Sequence, residues 1–426
     1  MAKTKTGSAK KAVDTEGGLK SILLVVFDGL GDRPCGEFGG KTPLEAANTP
    51  NLDKLASCGT CGLLSTAGVG IRPGSDVAHL SLFGYNPEKD YPGRGPIEAL
   101  GVGFGAKTGD VALRANFGTI NDKGIIIDRR AGRIENTAEL AKAISGREFR
   151  GVRVFVTPSV GHRAVVVLRG DGLSAAICDG DPHKEGVAPV PVAPTQRSSE
   201  AQKTADVLNE FSEFANKVLK KHDINKAREK EKKLPANFVL VRGAGMHKEV
   251  AGFENKYSLK ASCVAGGGLY KGLARLVGMK VINVPGATGT PETNVVAKVG
   301  AAVSALETND FVFLHLKGTD VMGEDGNAKG KKAYLEKADK ALAPLLKLPG
   351  AIVAVTGDHS TPCSLKKHSG DPVPILFNGK GIRTDASPAK KFGERQCSQG
   401  SVGRIFGKDL MPELLNLAGR APLVGD

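Results

Sequence analysis

The chain has 426 residues, 40% of them hydrophobic and 24% charged, with a formal net charge of +14 and no tryptophan. Its length exceeds the ~250–300 residues at which a single hydrophobic core stops growing, so more than one domain is expected. No apolar run approaches the ~20 residues that span a bilayer, and the scarcity of aromatic side chains argues against a base-stacking nucleic-acid surface; neither a membrane nor a nucleic acid is an expected partner.

The first twenty residues, MAKTKTGSAKKAVDTEGGLK, carry five lysines and two acids and read as a disordered basic tail. They have neither the apolar stretch of a secretory signal nor the arginines of a mitochondrial presequence. Seven scattered cysteines suit a reducing, cytoplasmic compartment better than a disulfide framework. Cys58 and Cys61 form a C-x-x-C, but no second pair stands at zinc spacing, so both are expected to face the core.

In chain order, apolar runs predict strands over Ile22–Phe27, Val152–Val156, Ala164–Leu168, Phe238–Val241, Val281–Val284, Phe311–Leu314, Ile352–Val355 and Val373–Leu376. Helical spacing falls between them, over Asp76–Phe83, Ala138–Ile144, Gly268–Val277 and Val295–Leu306. Alternating strands and helices predict the α/β class, with a mostly parallel sheet covered on both faces. The proline-rich Asp181–Gln196 is a loop. It leads into one long amphipathic helix over Glu200–Lys233, with Leu208, Phe211, Ala215, Val218 and Leu219 on its apolar side.

The chemistry gathers at strand ends. Asp28 closes the first strand, Asp320 follows another in FLHLKGTDVMGEDG, and Asp358-His359 follow a third in AVTGDHS, with His368 nine residues on. Ligands in open α/β sheets bind beyond the carboxyl ends of strands. Carboxylates collected there repel one another, so a cation is the natural compensation, and mixed carboxylate–imidazole ligands suit Mn²⁺, Zn²⁺ or Fe. Each aspartate taken singly could equally cap a turn. In GIRPGSDVAHLSLFGYNP, Ser75 precedes a predicted helix. It is an N-cap on the simplest reading. A serine placed there also stands beside amides that bind phosphate oxygens, and a coordinated metal would make it a nucleophile.

The stretches VVFDGLGDRP, KTPLEAANTPNLDKLASCG, GSDVAHLSLFGY, GRGPIEALGVG, IIDRRAGRI, GHRAVVVLRG, DGDPH, LVRGAG, INVPGATGTPETN and GDHSTPCSLKKHSGDPVP are similar, in order, to the cofactor-independent phosphoglycerate mutases of the archaeal type, within the alkaline-phosphatase superfamily. The resemblance runs from about Ser21 to Gly419. It implies an alkaline-phosphatase-like core built from residues 21–103 and 251–426, with a smaller α/β substrate-binding domain, 104–250, inserted. The cleft between them would gate the substrate and exclude water.

The same resemblance implies two divalent ions, typically Mn²⁺ with Mg²⁺, Co²⁺ or Zn²⁺ as alternatives, and no organic cofactor. Asp28, Ser75, Asp358 and His359 would bind one ion, with Ser75 the nucleophile. Asp320 and His368 would bind the other. Glu324 stands where the family pattern has a histidine, and an oxygen ligand there would favour harder ions. Arg94, Arg114, Arg129, Arg130, Arg163 and Arg242 are expected around an anionic substrate, and Lys271 is a further phosphate candidate from the metal-bearing half. His162 and His183 are candidate proton shuttles, and Asp181 would orient a substrate hydroxyl or cap its turn. The implied reaction is the interconversion of 3- and 2-phosphoglycerate through a phosphoserine, in glycolysis and gluconeogenesis. A metal-dependent phosphomonoesterase and a non-catalytic anion-binding relative are the alternatives, and the oligomeric state is left open.

Overall fold

The computed structural model describes residues 20–425, so the expected basic tail, apart from Lys20, lies outside the described residues. Fourteen strands are found among them. They are β1 (Ser21–Phe27), β2 (Thr60–Ser65), β3 (Val111–Ile120), β4 (Ile126–Asp128), β5 (Arg147–Phe149), β6 (Val152–Pro158), β7 (Arg163–Arg169), β8 (Phe238–Met246), β9 (Ala261–Val264), β10 (Lys280–Val281), β11 (Phe311–Leu316), β12 (Ala351–Gly357), β13 (Val373–Asn378) and β14 (Gly403–Phe406). The helices that matter below are α1 (Ser75–Leu82), α2 (Arg94–Gly101), α3 (Ala138–Ile144), α4 (Ser199–Lys221), α5 (Asp223–Lys230), α6 (Gly268–Leu276), α7 (Val295–Ala305), α8 (Gly318–Glu324) and α9 (Ala328–Ala341). No helix among the described residues is long and apolar enough to cross a membrane.

The chain divides into two compact units. One comprises the residues up to Pro87, Tyr257–Gly266 and everything from Lys280 on; the other comprises Glu88–Lys256 and Gly267–Met279. The expected limits at Phe104 and Val250 both fall inside the second unit.

The first unit holds an eight-stranded sheet in the order β10-β9-β11-β1-β12-β13-β2-β14. Its centre is parallel: β1 pairs with β11 on one side and β12 on the other, and Phe27 registers with Leu316 and Gly357. Apart from Ser21 at the start of β1, every residue of the three central strands is buried, as their apolar runs require. β13 is the antiparallel intruder, pairing with β12 and β2. The expected strand over Val281–Val284 shrinks to Lys280–Val281, at the sheet's edge.

The second unit holds an antiparallel sheet ordered β4-β3-β7-β6-β5, with β8 also paired to β3. Its hub, β3, was not predicted, because Arg114 and Asn116 interrupt its apolar run. α2 rests directly on it. A Cβ at Gly95 would come 1.9 Å from the Ala112 carbonyl oxygen, so only glycine permits the approach. The single helix expected over Glu200–Lys233 is two, α4 and α5, broken at His222. The buried Asn225 amide explains the break. It donates to the carbonyls of Leu219 and Ala236, at 2.9 and 3.0 Å, tying the corner to the chain beyond. Leu208, Phe211, Ala215 and Leu219 are buried in this unit's core, so α4 docks rather than projects.

A partly buried polar knot secures the turn after β1. Glu394 accepts from the Asp32 amide and the Thr42 hydroxyl, and its burial pushes its pKa up to about 7. The folded state therefore holds a proton that the unfolded chain loses near pH 4.5. The resulting stability is full below about pH 4.5 and is lost as the pH rises towards 7. Urea midpoints of Glu394→Gln are expected to fall less than those of the parent across that window; parallel slopes would count against the assignment.

Candidate metal centre

Because β11, β1 and β12 are neighbours and parallel, their carboxyl ends open onto one rim. Asp28 follows β1, Asp358 and His359 follow β12, and Lys317 followed by α8 with Asp320 continues from β11. Gly29 makes the turn after Asp28 with φ +64, and a Cβ there would lie 2.5 Å from the Thr361 hydroxyl and 2.8 Å from the Asp320 Cα. The sequence DG at this strand end is thus required twice, by dihedral and by space.

Six of the predicted residues come together. Asp28, Asp358 and His359 present ligand atoms within 4.8 Å of one another, as do Asp320, His359 and His368. His359 belongs to both groups, and its ring stacks on His368 at 3.6 Å between centroids. The Ser75 Oγ lies 3.2 Å from His359 Nε2. Ser75 is the first residue of α1, and Gly74 holds the N-cap position that the simplest reading gave to the serine. Glu324 stands at the edge. Its Oε1 is 4.0 Å from His368 Nε2, and its side chain is 56% exposed. Burial and the Asp320 charge raise its pKa.

The electrostatics show a demand for positive charge. Burial alone would lower the pKa of His359, but Asp358 and Asp28 outweigh it and push it up to about 10. Burial would raise Asp28, yet Lys317, with His315 and His359, holds it well below the usual carboxylate range. Burial and Asp28 would likewise raise Asp320, and His368 and Lys317 bring it to about 2. The Lys317 ammonium lies 3.0 Å from Asp28 Oδ2 and 2.9 Å from Asp320 Oδ2. Oδ2 of Asp358 is buried and accepts no hydrogen bond from the described residues. Three buried carboxylates and two imidazoles of this kind fit divalent cations.

Lys317, Thr361, His315 and His79 were missed by sequence reasoning. Thr361 donates to Asp320 Oδ1 at 2.8 Å. Lys317 had a signal, standing three residues before Asp320 at the mouth of β11. His315 had little, being one polar residue inside an apolar strand. Asp371, part of the same crowded stretch, lies outside both ligand groups and pairs with Arg33 at 2.8 Å. Cys61 is buried as expected, but Cys58 is exposed.

The predicted basic residues sit in the second unit, Lys271 included, since α6 belongs there rather than with the metal-bearing part. Arg114 of β3 registers with Arg242 of β8, and Asn116 with Arg163 of β7, so the three arginines share a sheet face. Arg94 joins them from the start of α2, 3.1 Å from Glu98, which also lies 3.7 Å from Arg114. Burial, then the charges of Arg242 and Arg94, bring Arg114 down to about 10. Such crowding is stabilised by an anion.

Asp181 is buried and accepts two hydrogen bonds from Arg129, at 2.9 and 2.6 Å, and one from the His183 amide. His183 has φ +61, with its ring 3.2 Å from Asp179. Arg130 directs its backbone amide to Asp128. Burial, with Arg163 and Arg130, lowers His162 to about 4, so its imidazole is neutral at physiological pH and can accept a proton.

The fold and the cluster define a class: α/β proteins with a carboxylate–imidazole cluster that could hold cations at the carboxyl ends of a mostly parallel sheet. Residues 56–225 match the family model described as 2,3-bisphosphoglycerate-independent phosphoglycerate mutase. A mutase of that name from Methanocaldococcus jannaschii is 46% identical over 403 residues, covering 93% of this chain and 97% of the relative. One from Thermococcus kodakarensis is 47% identical, covering 95% and 98%. Among solved structures, a cofactor-independent phosphoglycerate mutase from Thermoplasma acidophilum is 40% identical with a TM-score of 0.72, over 94% of this chain and all of the other. A Pyrococcus horikoshii protein, 39% identical, reaches 0.83 over 96% of this chain and all of the other. The chain belongs to the 2,3-bisphosphoglycerate-independent phosphoglycerate mutase family.

Proposed function

We propose that this protein interconverts 3-phosphoglycerate and 2-phosphoglycerate, with the phosphoryl group carried in transit on Ser75. The observation that carries the reading is the serine hydroxyl, 3.2 Å from His359 Nε2 and beside two overlapping ligand groups. Asp28, Ser75, Asp358 and His359 would hold one divalent ion; Asp320 and His368, with Glu324, would hold the other. Manganese suits these mixed ligands best, and magnesium, cobalt and zinc are the alternatives. Ions bound there would lower the pKa of a coordinated hydroxyl and neutralise phosphate oxygens.

The protein's own groups do the rest. Ser75 Oγ attacks phosphorus, the proton it loses going to the released glycerate oxygen; the other oxygen of the same glycerate then takes the phosphoryl group back, its proton returning to Ser75. Arg94, Arg114, Arg163 and Arg242 supply forked donors for the carboxylate and phosphate of the substrate, with Arg130 and Lys271 adding positive charge. Asp181 holds Arg129 in place. His162, neutral, takes up the proton of the accepting hydroxyl, and His183 is the second candidate for that exchange. The seven free cysteines suit a reducing cytoplasm.

The test is a coupled assay for 2-phosphoglycerate on metal-stripped protein, with Mn²⁺, Mg²⁺, Co²⁺ or Zn²⁺ restored singly and no 2,3-bisphosphoglycerate added. Free phosphate is read in the same wells. Activity is expected only with metal, and Arg114→Ala is expected to raise KM by about 10- to 100-fold through loss of a charge-assisted contact. Phosphate release without 2-phosphoglycerate would replace the mutase by a phosphomonoesterase.

A further inference from the structure

Behind the first ligand group lies a layer that the proposed chemistry does not use. His79 of α1 and His315 of β11 are both fully buried, with ring centroids 5.3 Å apart. Phe313 packs against both, at 5.5 Å from His79 and 5.9 Å from His315, and Phe83 closes over His79 at 6.1 Å. Each imidazole faces one carboxylate. His315 Nε2 lies 3.4 Å from Asp28 Oδ2, and His79 Nδ1 lies 3.5 Å from Asp358 Oδ2.

His79 has a second duty. Its Nδ1 is 2.7 Å from the carbonyl oxygen of Ser75. A carbonyl only accepts, so Nδ1 carries the proton and donates, which fixes the tautomer. One ring therefore touches the backbone of the serine and reaches towards the carboxylate of Asp358. His315 is anchored from behind: the buried Lys298 ammonium donates to its backbone carbonyl.

We propose that His79 and His315 are paired positioning residues of the Asp28–Asp358–His359 group: His315 orients the Asp28 carboxylate so that it presents its oxygen to the first ion, and His79, through the Ser75 carbonyl, sets the position of Ser75 beside Asp358. The aromatic walls keep water from competing for those carboxylates. The cost of a loosened carboxylate is paid in ion affinity, because groups that orient metal ligands typically contribute 10- to 100-fold to binding. The inference rests on the metal site proposed above.

The two rings use different nitrogens, and this gives the test its discrimination. An asparagine amide reaches about as far as Nδ1, and a glutamine amide about as far as Nε2. At position 79, Asn should therefore substitute and Gln should not; at position 315, Gln should substitute and Asn should not. The full chain is stripped of metal and titrated with Mn²⁺, free ion being read by electron paramagnetic resonance and folding by thermal melting. His79→Leu and His315→Leu are expected to weaken one of the two Mn²⁺ sites by roughly 10- to 100-fold and to leave the other unchanged. His79→Asn and His315→Gln are expected to stay within about threefold of the parent, and the opposite pairing to resemble leucine.

Leucine variants that fold and bind Mn²⁺ like the parent would overturn the proposal. If they fail to fold, the Asn and Gln pairs decide, and equal affinities within each pair would overturn it. Failure of the underlying metal site looks different: the parent itself would bind no Mn²⁺, or Asp358→Asn would leave its binding unchanged.

Discussion

Ser75→Ala is expected to lower 2-phosphoglycerate formation by at least about 10⁴-fold, the scale on which removal of a nucleophile is felt. The fold should survive, because Ser75 is not the cap of its helix and Gly74 fills that position. The Mn²⁺ stoichiometry should survive as well, since Asp28, Asp358 and His359 remain close enough to share an ion. Chemistry would thus be lost while binding is kept. Brief mixing of the parent with substrate, followed by acid quench and mass spectrometry, should find a phosphate on the peptide that contains Ser75, and none in the variant. Undiminished turnover in the variant, with no phosphate on that peptide in the parent, would remove Ser75 from the mechanism.

Lys331→Met is expected to give the largest loss of stability. The ammonium of Lys331 is fully buried on α9 and donates to the carbonyls of Gly31 and Thr361, each at 3.0 Å, and to Asp32 Oδ2 at 2.9 Å. Asp32 is buried beside it. Removing one partner leaves the other charge uncompensated in the interior, at a cost of about 3–5 kcal/mol. The lysine also joins the turn after Asp28 to the segment after His359. Activity should therefore fall together with the urea midpoint of the first unit's transition. Replacing both partners, Asp32→Asn with Lys331→Met, should recover much of the loss, because no buried charge then remains unpaired. A single variant with an unchanged midpoint would show that the pair is not holding this turn.

The strand ends were legible. An apolar run that gives way to glycine and aspartate marks a carboxyl terminus locally, and Ile22–Phe27, Phe311–Leu314 and Ile352–Val355 each led to a residue of the cluster. The helix behind Ser75 was legible for the same reason, since its spacing is local. β3 was not: Arg114 and Asn116 interrupt its apolar pattern, and only β7 and β8 on either side of it, with β4 beyond, make it a strand. The break at His222 was hidden because Asn225 causes it by bonding to Ala236, eleven residues on.

The chemical types of the site, carboxylate, imidazole and one serine, were thus determined by the sequence alone, together with the α/β class and the family. Their convergence was decided by the tertiary structure. Asp28 meets Lys317 and Asp358 only because β1 lies between β11 and β12, pairings that span roughly 290 and 330 residues of chain. The roles of Lys317, His79 and His315 followed from the same step. A polar residue inside an apolar run has no readable partner until folding removes water from it, and the group that replaces the water is supplied by a strand or helix distant in sequence.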